Sequence, residues 1–421
     1  SLQEILGITD AEADKLQGHA RTTGPGYNNL VATKEGSAAA GATPPSDSFA
    51  SFLLGELSVK AEHVRALVLR NPTVLNRSTD GVMHVSQWLQ DTLGMSRADV
   101  ARLLLRFPEA GHCSVINNLE PTVMWLRENL GTDYRGVAKM LRHAPQILGT
   151  SVENKLEPRL LWLENRLQIS AEKAAKIARS FPSLLVYSAE NKFEPTLAWL
   201  QQRLGIEDES AVLAMVATCP NILYRNTETG IEPKLEWLQY RLGLNPMEVC
   251  RIVRAHPPIL TRSIEKSLEP KLAWLLKTLG VDLEEAKSML LRCPTITGAS
   301  IEYNLDLKLP WFQKTLGLSL EEAVAVLTKS PLLLVLSIEK NLDPTILFFR
   351  KEMNASEEDI RNSLGQNPLL MTYSLKMRFH PRVAALRAAG VEPVFSEHHL
   401  QVILFTTTKF DAFLHSVRQA K

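Results

Sequence analysis

Apolar residues recur along most of the chain with helical spacing, in two alternating kinds of segment. In one kind they stand two, five and nine residues after a proline, as Leu235, Leu238 and Leu242 do after Pro233. Those positions share one face of a helix. The other kind begins with a capping residue such as Ser319, runs for about ten residues and stops before a proline. The pattern predicts pairs of amphipathic helices joined by short apolar turns, with no sheet.

Three residue types recur with one period. The seven tryptophans stand 37 residues apart, with a single step of 38, at Trp88, Trp125, Trp162, Trp199, Trp237, Trp274 and Trp311. A ladder of prolines has steps of 36 to 38 residues, at Pro72, Pro108, Pro145, Pro182, Pro220, Pro257, Pro294, Pro331 and Pro368. Leu-Gly pairs end at Gly94, Gly131, Gly205, Gly243, Gly280 and Gly317. A fixed period of this length is typical of stacked helical units, an α-solenoid.

Each predicted unit holds two helices. The capped helix follows a Leu-Gly pair and opens with a cap, as at Asn245 and Asp282, then ends before a ladder proline. The tryptophan helix opens at an acid-proline pair such as Glu269-Pro270 and ends at the next Leu-Gly pair, where glycine suits a left-handed cap. Positions in the tryptophan helix are counted below from its opening proline.

The repeat pattern also predicts how the chain is divided. Residues 6–16 resemble the start of a capped helix, whereas residues 20–48 are rich in Gly, Ala, Ser, Thr and Pro, as flexible linkers are. The predicted division is 1–19 as a partial repeat, 20–48 as a flexible linker, 49–395 as the repeat solenoid and 396–421 as a C-terminal capping segment.

Composition limits the function. Lys and Arg number 47 and Asp and Glu 46, so any nucleic-acid binding must rest on where the charges lie rather than on their sum. Hydrophobic residues make up 45%, enough for a large core. No apolar run is long enough to span a membrane. No signal peptide is visible, and a targeting segment is expected to have been removed ahead of Ser1.

No pattern of catalytic or metal-binding residues stands out. The four cysteines match no zinc or redox spacing, and phosphate-binding, nucleophile-elbow and zinc-protease motifs are missing from the sequence. The acids before the opening prolines are explained by capping of a helix start. We therefore expect a binding protein rather than an enzyme, with no cofactor and no metal, because stacked repeats create long binding surfaces.

The whole repeat resembles the mitochondrial transcription termination factor family, mTERF. The resemblance rests on the period, the P-x-ϕ-L turn (ϕ apolar), the E-P-K/R-L-x-W-L opening and the LG-ϕ-x-x-E-E-A link, over roughly residues 50 to 415. Departures are local: His84 and Leu307 replace opening prolines, and Gln168 replaces a link glycine. The resemblance implies an all-α, right-handed-stacked solenoid of about nine to ten repeats, curved into a half-ring-like superhelix.

Two positions form a predicted basic row across the tryptophan helices. At position +1 stand Thr122, Arg159, Thr196, Lys234, Lys271, Lys308, Thr345 and Arg382, and at position +8 stand Arg166, Arg203 and Arg241 among others. The helix dipole opposes a cation in the first turn. A +1 cation is therefore expected either to pair with an acid of a neighbouring repeat or to contact a phosphate, which free N–H groups at the helix start would also bind.

Two further sets are candidates. A second basic row precedes the ladder prolines: Arg70, Arg106, Arg142, Arg179, Arg254, Arg292 and Lys329. Complementing the dipole at a helix C-terminus is a structural reason for these cations, and phosphate binding is the functional one. Five residues after a ladder proline stand Arg77, Tyr187, Arg225, Arg262 and Tyr373, which could stack on bases or bind guanine; turn packing explains the tyrosines equally well.

The tryptophans have two interpretations. Recurrence in one register favours core packing over a platform for stacked bases. Trp199, Trp237 and Trp274 are therefore predicted to be mostly buried.

Residues and resemblance together predict a sequence-specific double-stranded DNA-binding protein of an organelle, which terminates transcription as a roadblock. Its phosphate contacts would come from the basic rows and its base contacts from a few arginines. The alternative is an organellar RNA-binding or ribosome-assembly scaffold that works with a protein partner. The resemblance favours a mitochondrion over a plastid, and a monomer is expected on DNA.

Overall fold

The computed structural model describes residues 2–13, 16, 49–76 and 79–419. These residues form helices and turns, and no strand occurs among them. Each unit runs from a capped helix through a 3-10 turn into a tryptophan helix, and from the second unit on a π-helical turn lies between the 3-10 turn and the tryptophan helix. The all-α repeat architecture is thereby confirmed. Within the described ranges, no helix is both long and apolar enough to cross a bilayer.

Four kinds of element alternate along the chain. The capped helices are Ala61–Arg70, Arg97–Arg106, Tyr134–His143, Ala171–Ser180, Glu209–Thr218, Pro246–Ala255, Leu283–Arg292, Leu320–Lys329 and Glu357–Gln366. The 3-10 turns are Pro72–Asn76, Pro108–His112, Pro145–Gly149, Pro182–Leu185, Pro220–Ile222, Pro257–Thr261, Pro294–Gly298, Pro331–Leu334 and Pro368–Thr372. The π-helical turns are Val115–Leu119, Val152–Leu156, Ala189–Phe193, Thr227–Ile231, Ile264–Leu268, Ile301–Leu305, Ile338–Leu342 and Leu375–Phe379. The tryptophan helices are Thr79–Leu93, Glu120–Leu130, Glu157–Leu167, Glu194–Leu204, Glu232–Glu236 with its π-helical continuation Trp237–Arg241, Glu269–Lys277, Asp306–Leu316, Asp343–Glu352 and His380–Ala388.

The capped helices begin as the sequence predicts. The Asn245 side chain accepts the Glu248 N–H, and the Glu248 carboxylate accepts the Asn245 N–H, both at 3.0 Å. The same reciprocal pair forms at Ser319 and Glu322. These bonds satisfy N–H groups that a helix start leaves without a partner. Each helix ends where a ladder proline follows, because the residue before a proline avoids helical angles.

The tryptophan helices begin earlier than the sequence predicts. A serine such as Ser151 accepts the N–H three residues on, and the π-helical turn that it starts continues into the α-helix at Glu157 without leaving helical angles. The opening proline, here Pro158, therefore lies inside a longer helical segment. Since it has no N–H and crowds the preceding turn, a wider π turn accommodates it. The dipole argument for position +1 is wrong, because this position lies beyond the first turn.

The core and the links agree with the pattern. Leu235, Leu238 and Leu242 are buried. The link glycines have positive φ, and Gln168 adopts the same left-handed conformation, with a φ of 52°. A side chain in this conformation is strained.

The described chain divides into two compact units: unit 1 comprises Ser1–Leu200 and Val212–Tyr224, and unit 2 comprises Gln201–Ala211 and Arg225–Lys421. In unit 1, Glu12 of the N-terminal fragment forms an ion pair of 2.7 Å with Arg65 of the first capped helix. In unit 2, two helices, Glu397–Leu404 and Thr407–Gln419, follow the last repeat, where a capping segment is predicted. The helices Leu2–Leu6 and Phe49–Gly55 precede the first capped helix. The predicted linker, 20–48, lies outside the described residues.

Candidate nucleic-acid interface

The +8 arginines bind the acids that open the next tryptophan helix. Arg166 makes two bonds to Glu194, from Nε to Oε1 at 2.9 Å and from Nη2 to Oε2 at 3.0 Å. Arg203 binds Glu232, with Nη2 2.6 Å from Oε1. Glu232 holds the pKa of Arg203 above its usual value. Paired charges of this kind join consecutive repeats.

Tryptophans donate to the same set of acids. The indole Nε1 of Trp162 lies 3.0 Å from Glu194, and that of Trp237 lies 2.6 Å from Glu269, which also accepts from Arg241. Trp274 and Trp311 donate to Asp306 and Asp343 in the same way. We call an acid that is held by a tryptophan or arginine of the preceding repeat a clamp.

The clamps change the interpretation of three kinds of residue. Trp237 and Trp274 are 8% and 5% exposed, which confirms packing, whereas Trp199 is only intermediate in burial. The acids join repeats, a role that the capping argument missed. The +8 arginines predicted to contact phosphates, Arg166, Arg203 and Arg241, are already paired with carboxylates, so the structure contradicts their placement in an open basic row.

Most of the +1 row is buried. Lys308 is 1% exposed, and its ammonium donates to Asn304 Oδ1 at 2.5 Å and to the carbonyl oxygen of Leu336 in the following turn. Burial lowers the pKa of Lys308 to about 8. Arg159 likewise donates to the Leu185 carbonyl at 2.6 Å. These cations satisfy main-chain oxygens of the next turn, which is neither of the two roles expected from the sequence.

Other members of the row do the same. The buried Thr196 hydroxyl donates to the carbonyl of Lys192, and Arg382, 9% exposed, donates to the carbonyl of Ile403 at 2.6 Å. Lys271 is 8% exposed and donates to the Ser267 hydroxyl at 2.8 Å. The predicted phosphate contacts of Arg159, Thr196, Lys271, Lys308 and Arg382 therefore need correction, because each of these side chains already donates to an oxygen atom of the fold.

The cations before the ladder prolines fall into two sets, which stand two and three residues before the proline. Cations two residues before the proline reach the C-terminal carbonyls of the next capped helix: Arg70 to Leu105, Arg106 to Arg142, Arg292 to Thr328 and Lys329 to Gln366. Those carbonyls have no partner within their own helix. For Arg292 the structural explanation, binding of carbonyls at a helix C-terminus, is thus supported. Each such cation, however, caps the neighbouring helix rather than its own.

The cations three residues before the proline differ, because one residue turns a side chain by about 100° around a helix. Arg142 forms an ion pair of 3.2 Å with Asp99, and Arg179 donates to the carbonyls of Leu130 and Gly131 in the preceding repeat. Arg254 is exposed and lowers the pKa of Asp208, whose main stabilising bonds come from Ser210. None of the three caps the next helix.

The residues five positions after the ladder prolines lie at the ends of the 3-10 turns. In unit 1, Tyr187 is 45% exposed and stacks on Tyr224, with ring centroids 6.3 Å apart and an angle of 11° between planes. In unit 2, the guanidinium of Arg378 lies 4.6 Å from the ring of Tyr373. The position predicted for base contacts thus presents aromatic surface. Arg77 lies outside the described residues.

Two arginines of this set belong to a group of like charges in unit 2. We call Arg225, Lys234, His256, Arg262 and Lys271 the cation cluster. Burial and then Arg225 lower the pKa of Lys234, and only Glu265 opposes this. Burial and then Arg262 lower the pKa values of His256 and Lys271. Burial first, and then like-charged neighbours, therefore disfavour the charged forms of these three groups.

The cluster also contains polar atoms without hydrogen bonds. His256 Nε2 and Arg262 Nε are buried and have no partner among the described residues. Arg262 lies against Gly298 of the next turn, where a Cβ would stand 2.9 Å from Nη2. Glycine therefore makes room for the guanidinium. An anion on this surface would supply the bonds and the charge that the cluster lacks.

The sequence prediction overlooked a third basic position. Position +7 lies opposite the core positions on the tryptophan helix, and in unit 2 it carries the exposed Lys277, Lys314 and Lys351, which we call the outer lysines. Among the described residues none binds these three side chains. In unit 1 the same position carries Asp91 and Glu128. The 37-residue spacing of these lysines in the sequence indicates that they occupy one position of the repeat.

No group of side chains that could hold a metal ion occurs in the parts of the chain that the structure describes. Nor does any curated protein match this chain. The model of the mTERF family matches residues 52–326 and 314–410, which include the repeats from the first capped helix to the last tryptophan helix. The tryptophans, the ladder prolines and the acids of the clamps all lie within those matches. The chain belongs to the mTERF family.

Proposed function

We propose that this protein binds double-stranded DNA in a mitochondrion and terminates transcription there as a roadblock, acting as a monomer. Membership of the mTERF family implies a nucleic-acid-binding factor of an organelle, and the proposal specifies the ligand and its effect. One observation carries it: the cation cluster gathers like charges around two buried nitrogens, His256 Nε2 and Arg262 Nε, that have no hydrogen-bond partner among the described residues.

Like charges held together destabilise the free protein, so such a cluster calls for a ligand that compensates them. The clamps of the same chain show that this fold readily supplies acids to arginines elsewhere. Phosphates of a nucleic acid would relieve the repulsion, since charge-assisted bonds to phosphate are strong. The cluster members Arg225 and Arg262 stand 37 residues apart in consecutive repeats, so the surface repeats with the fold.

Phosphate contacts alone carry no sequence information. The guanidinium groups of Arg225 and Arg262 could each bind the O6 and N7 atoms of a guanine. In unit 1, the stacked pair of Tyr187 and Tyr224 offers a flat surface to a base. We assign base recognition to the two arginines, and phosphate binding to Lys234.

The test compares two sets of three substitutions with equal loss of charge. In the first, Arg225, Lys234 and Arg262 become Gln; in the second, the outer lysines Lys277, Lys314 and Lys351 become Gln. Duplex affinity is measured across salt concentrations. Losing the phosphate contact assigned to Lys234 lowers the slope of log K against log salt by about 0.9, and losing the two base contacts lowers the affinity for the cognate site. The cluster variant should show both losses, while the outer variant stays close to the wild type.

Equal slopes for the cluster variant and the wild type would refute the proposal. A DNA duplex, an RNA duplex and a single strand are run side by side. Binding of RNA alone, or only with a protein partner present, would support the scaffold alternative. Selection of bound sequences from random duplexes then tests specificity.

A further inference from the structure

A groove in unit 1 lies on the capped helices. It runs between Ala61–Arg70 and Arg97–Arg106, and Arg142 of the next capped helix also lines it. Its volume is about 520 Å³, within the range of sites that bind ligands. Ala66, Leu67, Leu103 and Leu105 form its apolar floor.

The rim of the groove is strongly basic. Arg70, Arg102, Arg106 and Arg142 line it together with His63, and Asp99 is the one acid among the lining residues. Both oxygens of Asp99 are already bound, by Arg102 at 2.8 Å and by Arg142 at 3.2 Å. Although burial of Asp99 opposes ionisation, bonds from Ser96 and Arg142 hold its pKa below the usual value. The rim therefore keeps an excess of positive charge.

Two of the arginines remain able to attract a ligand while they serve the fold. Arg70 and Arg106 donate to carbonyls of the next helix, which are neutral and leave the positive charge uncompensated. The side chain of Arg102 is 71% exposed and that of Arg142 is 43% exposed. Although each is paired with Asp99, a guanidinium has five N–H donors, so these two exposed side chains can also bind a carboxylate of a ligand.

The matching groove in unit 2 lacks this character. It lies between Leu283–Arg292 and Leu320–Lys329, and its lining includes two cations, Arg292 and Lys329, and two acids, Glu285 and Glu321. The basic excess therefore distinguishes the groove of unit 1 from this one.

We propose that the basic groove of unit 1 docks an acidic segment of a protein partner. Apolar side chains of that segment would pack on the floor, and its carboxylates would pair with Arg102 and Arg142. The apolar floor favours a peptide over a nucleic acid, because a phosphate backbone has nothing to bury there. Charge complementarity then selects acidic peptides.

Selection of phage-displayed random decapeptides against the full chain tests this proposal. Enriched peptides should combine Asp or Glu with Leu, Ile or Phe. Their affinities are measured by fluorescence anisotropy for the wild type and for Arg102→Glu. The matched control is Arg135→Glu, an equal charge change at an exposed arginine of the helix Tyr134–His143 that does not line the groove.

Arg102→Glu should weaken the enriched peptides at least tenfold, and Arg135→Glu less than twofold. If Arg102→Glu melts at a lower temperature than the control, Arg102→Gln replaces it, with a smaller loss expected. The proposal fails if no acidic and apolar peptides are enriched, or if both variants bind them equally. It also fails if a DNA duplex displaces the peptides and itself binds Arg102→Glu more weakly, since the groove would then serve nucleic acid.

Discussion

The clamps and the cation cluster contain the same kinds of side chain under opposite conditions. In a clamp, Arg203 binds Glu232 of the next repeat, which raises the pKa of the guanidinium. In the cluster, Arg262 lies beside Lys271 and His256, lowers their pKa values, and makes no side-chain hydrogen bond among the described residues. Arg203 is thus held by an acid of the next repeat, whereas Arg262 keeps a buried Nε without a hydrogen-bond partner that a ligand could supply.

The largest expected effect comes from opening a clamp. Trp237→Ala removes a buried ring and the bond to Glu269, and should lower the free energy of unfolding by about 3–5 kcal/mol. Chemical denaturation measures the loss. Trp311→Ala is the control, because Trp311 is less buried and should cost less. Equal losses would mean that burial does not distinguish the two clamps.

Lys308 represents a third condition, a buried cation bound only to neutral oxygens. Its pKa in the folded protein is about 8, below about 10.4 in the unfolded chain. The penalty for its charge is full below pH 8 and is relieved as the pH rises toward 10.4. Relative to Lys308→Met, the wild type should therefore gain up to roughly 3 kcal/mol over this range. A constant difference between the two melting curves across pH would contradict this assignment.

The direct contrast is between one arginine of each region. Arg262→Gln should weaken binding to the cognate duplex by about 1–3 kcal/mol if Arg262 contacts a base, with little change in stability. Arg241→Gln, in the clamp on Glu269, should instead lower stability and leave affinity unchanged. Affinity titrations and thermal melts are run on both variants. Identical behaviour would remove the distinction between clamp and cluster.

The smallest effect tests the repeat itself. Gln168 holds a left-handed conformation that the link glycines of other repeats adopt without strain. Gln168→Gly should raise the free energy of unfolding by roughly 1 kcal/mol, since relief of strain exceeds the added freedom of the unfolded chain. Gly205→Gln is the reciprocal change and should destabilise. A loss of stability in Gln168→Gly would show that other contacts of the glutamine matter more.

The sequence alone determined the helices, their caps and the core. Local chemistry sets these features: Asn245 and Ser319 cap their own helices, and Leu235, Leu238 and Leu242 share a face because of helical geometry. The repeat period also led to the family. The π-helical turns were missed, although a serine such as Ser151 precedes them at the repeat period, because the opening proline resembled a helix start.

Only the tertiary structure decided which cations bind acids or carbonyls of neighbouring repeats. Arg166 and its acid Glu194 are 28 residues apart, and Lys308 and the Leu336 carbonyl are equally far apart. Periodicity shows that such groups recur together, but the contact depends on how adjacent helices pack and rotate. One residue of register separates Arg292, which caps the next helix, from Arg254, which does not. Because a side chain's direction changes by about 100° per residue, charge rows drawn on a sequence become surfaces only once the helices have packed.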